Sequence, residues 1–88
     1  MTPKDAALHL IRPYVERGDR YESLVEGGLG YQGPDYAASI GLGWSHCPAK
    51  NAHELVVHRL GGEWCCHRFS LRKLYDEIRS GFSQGRLL

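Results

Sequence analysis

The 88-residue sequence predicts a single α+β domain over residues 1–88, in the order α-α-β-β-β-α, with a three-stranded antiparallel sheet packed on helices. Three observations carry that expectation. Capping residues open apolar stripes of helical spacing at both ends of the chain. A strict alternation runs from Tyr36 to Trp44, and two β-favouring runs flank Gly61-Gly62 between Glu54 and Phe69.

The first helix starts at Thr2, with Pro3 in its first turn and Asp5 completing a Thr-x-x-Asp capping pattern. Leu8, Ile11 and Val15 fall near one face, and Pro13 predicts a break near Arg12, because proline removes a backbone donor. Asp19 then caps a short helix over 20–26, which Gly27-Gly28 stops. Residues 27–35, Gly-Gly-Leu-Gly-Tyr-Gln-Gly-Pro-Asp, read as a loop.

From Tyr36 the period becomes two, with Tyr36, Ala38, Ile40, Leu42 and Trp44 on one face of a strand and small residues on the other. Gly41 and Gly43 leave room there for something to approach the backbone. A polar connection over 45–53 leads to the hairpin. With Gly61-Gly62 as a two-residue turn, Val56 pairs with His67, Val57 with Cys66 and His58 with Cys65. One hairpin face then carries Leu55, Val57, Trp64 and Cys66, and the other carries Val56, His58, Leu60, Cys65, His67 and Phe69. Ser70 caps the last helix, Leu71, Leu74, Tyr75 and Ile78 form its core stripe, and Gly81 ends it.

Composition narrows the classes. With 42% hydrophobic and 24% charged residues the chain is neither disordered nor membrane-spanning in type. Its start lacks the pattern of a secretory signal, so a cytoplasmic location is expected. The odd count of three cysteines argues against a disulfide framework. A net charge of +1 supplies no strong field towards nucleic acid or membrane, although the basic excess falls in residues 46–88.

Several chemistries are open on paper. Zinc is the cofactor to consider: His58 and Cys65 form a cross-strand pair about 5 Å apart at Cβ, His67 shares their face, and His46, Cys47 or His53 from the preceding connection can complete the set. None of the familiar zinc spacings is present. Gly28-x-Gly30-x-x-Gly33 matches a dinucleotide fingerprint but leads into a strand instead of opening a helix. Ser70-x-x-Lys73 matches a nucleophile motif that a helix cap already explains. A Cys-His nucleophile pair would need an orienting third group and a pocket, which a chain this short seldom builds, so no enzyme is expected.

The order helix, three antiparallel strands, helix is that of double-stranded RNA-binding domains, and Gly33-Pro34-Asp35-Tyr36 ahead of an alternating strand resembles their entry to the first strand. That resemblance implies a nucleic-acid surface, for which Arg59, Arg68, Arg72, Lys73 and Arg79 are the basic residues. The lysine-rich run that such domains place at the start of the last helix is absent here, because Asp76 and Glu77 follow Arg72 and Lys73.

The leading expectation is a small non-enzymatic protein-interaction module without a cofactor. Such a protein works as a regulator or inhibitor that blocks a larger machine, a role common among short proteins of viruses and mobile elements. Val56, Leu60, Phe69, Tyr31 and Trp64 are its candidate contact residues, and a sheet face or the 27–35 loop is the surface it presents. Another protein or a second copy, in one form paired through edge strands as a homodimer, is its expected partner.

Overall fold

A computed structural model describes residues 2–61 and 67–83. Helix α1 (Pro3–Glu16) opens with the capping box that its sequence announces. The Asp5 amide donates to Thr2 Oγ1 at 3.1 Å, and the Thr2 amide donates back to Asp5 Oδ2 at 3.1 Å. The Thr2 amide, and after it the Thr2 hydroxyl, favours the charged carboxylate and holds the Asp5 pKa below its ordinary value. The expected break at Pro13 does not occur, and α1 runs through it. Proline removes one donor, the partner of the His9 carbonyl. Burial of Ile11 and Val15 on either side of it offsets that loss.

Helix α2 (Tyr21–Gly27) has Arg20 at its N-cap and no side-chain cap. Asp19, expected to cap it, instead holds the Arg17 guanidinium at 2.9 and 2.8 Å and accepts the Tyr75 hydroxyl on its backbone carbonyl at 2.7 Å. Gly28, in the left-handed conformation, turns the chain into β1 (Gly30–Gln32).

Strand β1 lies inside the stretch read from sequence as a loop, and it makes the main sheet four-stranded, not three-stranded. The order is β1-β2-β5-β6, all antiparallel, with β2 at Tyr36–Ile40, β5 at Glu54–Arg59 and β6 at His67–Ser70. The alternating strand predicted to reach Trp44 stops at Ile40. Gly41 takes φ +78° and Gly43 φ +73°, and the chain leaves the sheet. It folds back as a two-stranded hairpin of β3 (Gly43–Trp44) and β4 (Cys47–Pro48) before entering β5.

The hairpin register differs from the expected one by a residue. Val57, not Val56, lies opposite His67, and Leu55 lies opposite Phe69. In a strand a slip of one residue exchanges the faces. Phe69 therefore joins Leu55 and Val57 on the helix-facing side and packs against the core. Trp44, expected beside Ile40, lies against His58 on the opposite side, with ring centroids 4.6 Å apart.

Helix α3 (Leu71–Ser83) begins where Ser70 Oγ accepts from the Lys73 amide, and it passes through Gly81 to Ser83 instead of ending there. Its predicted stripe of Leu71, Leu74, Tyr75 and Ile78 is buried. With Ala6, Ala7, Leu10, Ile11 and Val15 of α1 and Tyr36, Ala38, Ile40, Leu55 and Val57 of the sheet it forms one core.

The second sheet face, expected to be open to solvent or a partner, is covered in part by the chain's own segment over 41–53. The Gly43 amide donates to Ser39 Oγ at 2.8 Å, and the Arg68 guanidinium donates to the Pro48 carbonyl at 3.1 Å. Beneath the hairpin, Ala37 and Val56 have no exposed surface. Cys47, also fully buried, is disulfide-bonded, contrary to the expectation drawn from an odd cysteine count. The other two cysteines, Cys65 and Cys66, lie outside the described residues.

Candidate functional site

The interaction residues expected from sequence scatter. Val56 is fully buried under the β3–β4 hairpin and offers no contact surface. Phe69 belongs to the edge of the core. Leu60 is 41% exposed at the far end of β5, where its amide donates to the Asp35 carbonyl at 2.9 Å. Trp64 lies outside the described residues. Tyr31 alone sits in a surface with further features of a site.

Tyr31 is the middle residue of β1, and all three residues of that strand are exposed. The direction of its backbone groups follows from the bonds on either side. The Gly33 amide donates to the Tyr36 carbonyl at 3.0 Å, and the Ile40 amide donates to the Leu29 carbonyl at 2.8 Å. Bonded pairs alternate along an antiparallel ladder, so Tyr31↔Ala38 is the bonded pair between these two. Gly30 and Gln32 consequently turn their N–H and C=O groups away from the sheet. Among the described residues no strand takes them up.

On the second face, a groove of about 300 Å³ runs beside this edge, lined by Gly30, Gln32, Ser39, Leu42, Gly43 and Trp44. Leu42, at 68% exposure, is the most exposed large apolar side chain among the described residues. The groove exists because Gly41 and Gly43 lift the chain off the sheet, setting Leu42 and Trp44 above a floor of small residues. On the helix-facing side, Tyr31 stands 5.1 Å from Tyr36 and 5.8 Å from His9, ring centroid to ring centroid. His9 Nδ1 and the Tyr36 hydroxyl are hydrogen-bonded at 2.6 Å, and burial raises the Tyr36 phenol above its ordinary pKa. The edge thus offers backbone donors and acceptors, an apolar groove on one face and an aromatic row on the other.

The residues named for zinc are not brought together. His58 and His67 point to opposite faces, because His67 pairs with Val57. Cys47 is disulfide-bonded and so has no thiolate to offer, and Cys65 lies outside the described residues. Among the described residues no three His, Cys, Asp or Glu side chains form a metal-binding group. The two other histidine contacts lie apart. His58 meets His46 beneath Trp44, and Tyr21 donates to or accepts from His53 at 2.8 Å. Burial, with the neighbouring His46, lowers the His58 pKa.

The basic residues are also divided. Arg59 and Arg68 occupy opposite faces of the sheet by register. Arg68 is paired with Glu54 at 3.5 Å and Arg72 with Asp76 at 3.3 Å, and Arg72 lies over the Tyr21 ring. Arg79 reaches the Tyr75 hydroxyl, while Lys73 projects from the exposed side of α3. A second cavity, of about 340 Å³, lies along α1 beside His9 and is lined by that helix alone.

Comparison with known proteins adds no assignment: no family model, curated protein or solved structure matches the chain. Of the residues that build the site, Gly30 and Gln32 enter the sequence reading only within the 27–35 loop, and Leu42 is not singled out as a contact. Gly30 and Gln32 lie in a stretch without side-chain alternation, Leu42 and Trp44 in one whose alternation misleads, and only Gly41 and Gly43 signalled a close approach to the backbone.

Proposed function

We propose that this chain is a small non-enzymatic protein-interaction module that takes an extended segment of another protein onto the outer edge of β1. The observation that supports the reading is the pair of outward backbone groups at Gly30 and Gln32 beside the Leu42–Trp44 groove. In strand addition, main-chain bonds supply affinity and side-chain pockets supply specificity, and the edge has both parts. The incoming strand places alternate side chains on the two faces, so that one apolar side chain enters the groove while its neighbours lie along Tyr31. A regulator or inhibitor works in this way by occupying a segment that its target needs free.

The test is selection of random displayed peptides on the wild-type protein, followed by rebinding to Gln32→Pro. Proline at an edge position whose N–H points outward removes a donor that the monomer does not use. Extended peptides with a large apolar residue, bound by the wild type and lost on the variant, are the expected result. Peptides that bind both proteins equally would place the interaction elsewhere.

A further inference from the structure

Resting on the edge-strand reading above, we infer that, until a target segment displaces it, the edge of β1 is held by β1 of a second copy, paired antiparallel about a twofold axis at Tyr31. The register is dictated by which groups point outward. Gly30 and Gln32 carry the free N–H and C=O groups, so Gly30 of one copy bonds Gln32 of the other and the reverse. Two such bonded pairs flank a central Tyr31–Tyr31 pair, in the closely spaced position where side chains on one face touch. The two four-stranded sheets then continue as one, with the helices of both copies on the same side.

Three features of the strand fit that occupant. Leu29 to Gly33 carries no charge, so two copies meet without like charges facing each other, whereas edge strands that avoid pairing usually carry charge or proline. Gly30 is not demanded by the monomer. Its φ is not positive, and a Cβ there would meet the Ala38 carbonyl oxygen at 3.7 Å and Ser39 Cβ at 3.9 Å, ordinary contacts. A glycine that the fold does not need, on an exposed strand, suits close approach from outside. In the twofold register the side chain placed opposite Gly30 is Gln32 of the partner, so the missing side chain on one copy faces the long one on the other. It leads over the groove beneath Leu42 and Trp44. The arrangement also closes: the same patch is used by both copies, and no further copy can add at that edge.

Three residues on each side bury less than the roughly 1,600 Å² of a standard interface. The dimer is therefore concentration-dependent, with a dissociation constant on the order of micromolar. Sedimentation velocity tests it on the wild type, Gln32→Pro and Gly30→Val, over about 0.1 to 100 µM, a range that brackets micromolar association. Circular dichroism checks that each protein is folded. The expected result is a monomer–dimer equilibrium for the wild type, weakened at least tenfold in both variants. Should Gln32→Pro fail to fold, Gly30→Val decides, since its Cβ fits the monomer. A dimer unchanged in the folded variants would place the second copy on another surface and overturn this inference. A wild type that stays monomeric throughout would overturn the second copy as occupant, while peptide selection still decides whether β1 takes a strand from another protein.

Discussion

Replacing Gly43 with alanine should unfold the β3–β4 cover of the second sheet face, and the structure sets the size of the effect. Gly43 has φ +73°, where an L-residue costs about 1–2 kcal/mol. An added Cβ would lie 2.6 Å from the Ala49 nitrogen and 2.9 Å from the Pro48 carbonyl carbon, and closer still to the Cys47 carbonyl oxygen. These are backbone atoms, so no rotamer change relieves the overlap and the hairpin must open. Opening breaks the bonds from Gly43 N–H to Ser39 Oγ and from Ala49 N–H to the Leu42 carbonyl, each worth about 1 kcal/mol net. The loss of stability should come to about 3–4 kcal/mol, a large part of what a domain of this size has. Urea unfolding followed by tryptophan fluorescence measures it, with Gly30→Ala as the control. At Gly30 the same added methyl meets only ordinary contacts, so the control should be neutral or more stable by up to about 1 kcal/mol. A Gly43→Ala protein within about 0.5 kcal/mol of wild type, the range of a bland surface change, would refute the hairpin's placement.

Val56→Ala removes two buried methyl groups, each worth about 0.8 kcal/mol in transfer, and leaves a cavity under the hairpin. It should cost about 2–3 kcal/mol by urea titration and leave the dimer constant of the folded protein unchanged, because Val56 is interior. Acidification should destabilise the fold through His58. Its folded pKa is depressed, so the unfolded chain binds the proton first; the stability it contributes is present above the ordinary histidine value of about 6.5 and is lost as pH falls through and below it. Melting temperature followed from about pH 8 to pH 5.5 should decline, and His58→Gln should flatten the decline. A slope that is unaltered in the variant would assign the effect to another group. Reduction with dithiothreitol, or Cys47→Ala, should lower stability by about 2–4 kcal/mol, read from the shift in urea midpoint; an unshifted midpoint would contradict the disulfide's structural role.

The helices were legible because their signals are local. Thr2, Pro3 and Asp5 write a capping box, and Ser70 with Leu71, Leu74, Tyr75 and Ile78 writes a capped amphipathic stripe that is buried as expected. Alternation likewise located β2 and β5. What was not legible depends on contacts between distant residues. β1 has glycine on one side of Tyr31 and glutamine on the other, so it carries no hydrophobic period and exists because β2 offers it an edge. Val56 looked like an exposed apolar residue because nothing local says that residues 41–53 fold back over it. The β5–β6 register turned on whether Gly61-Gly62 forms the tightest turn, and the pairing is one residue longer than such a turn gives. That single step moved Phe69 to the edge of the core and separated His58 from His67. The candidate site was legible only in Tyr31 and the 27–35 stretch around it, because an exposed edge is defined by missing neighbours and not by a residue pattern.

The claim that β1 is the working edge rests on the direction of three amides, and residue-resolved amide hydrogen exchange at low and high protein concentration tests it most directly. In dilute protein the Tyr31 amide should exchange slowly, bonded to Ala38, while the Gly30 and Gln32 amides exchange at nearly unprotected rates. Raising the concentration should slow Gly30 and Gln32 together. Protection of those two amides already in the dilute monomer, or fast exchange at Tyr31, would contradict the account.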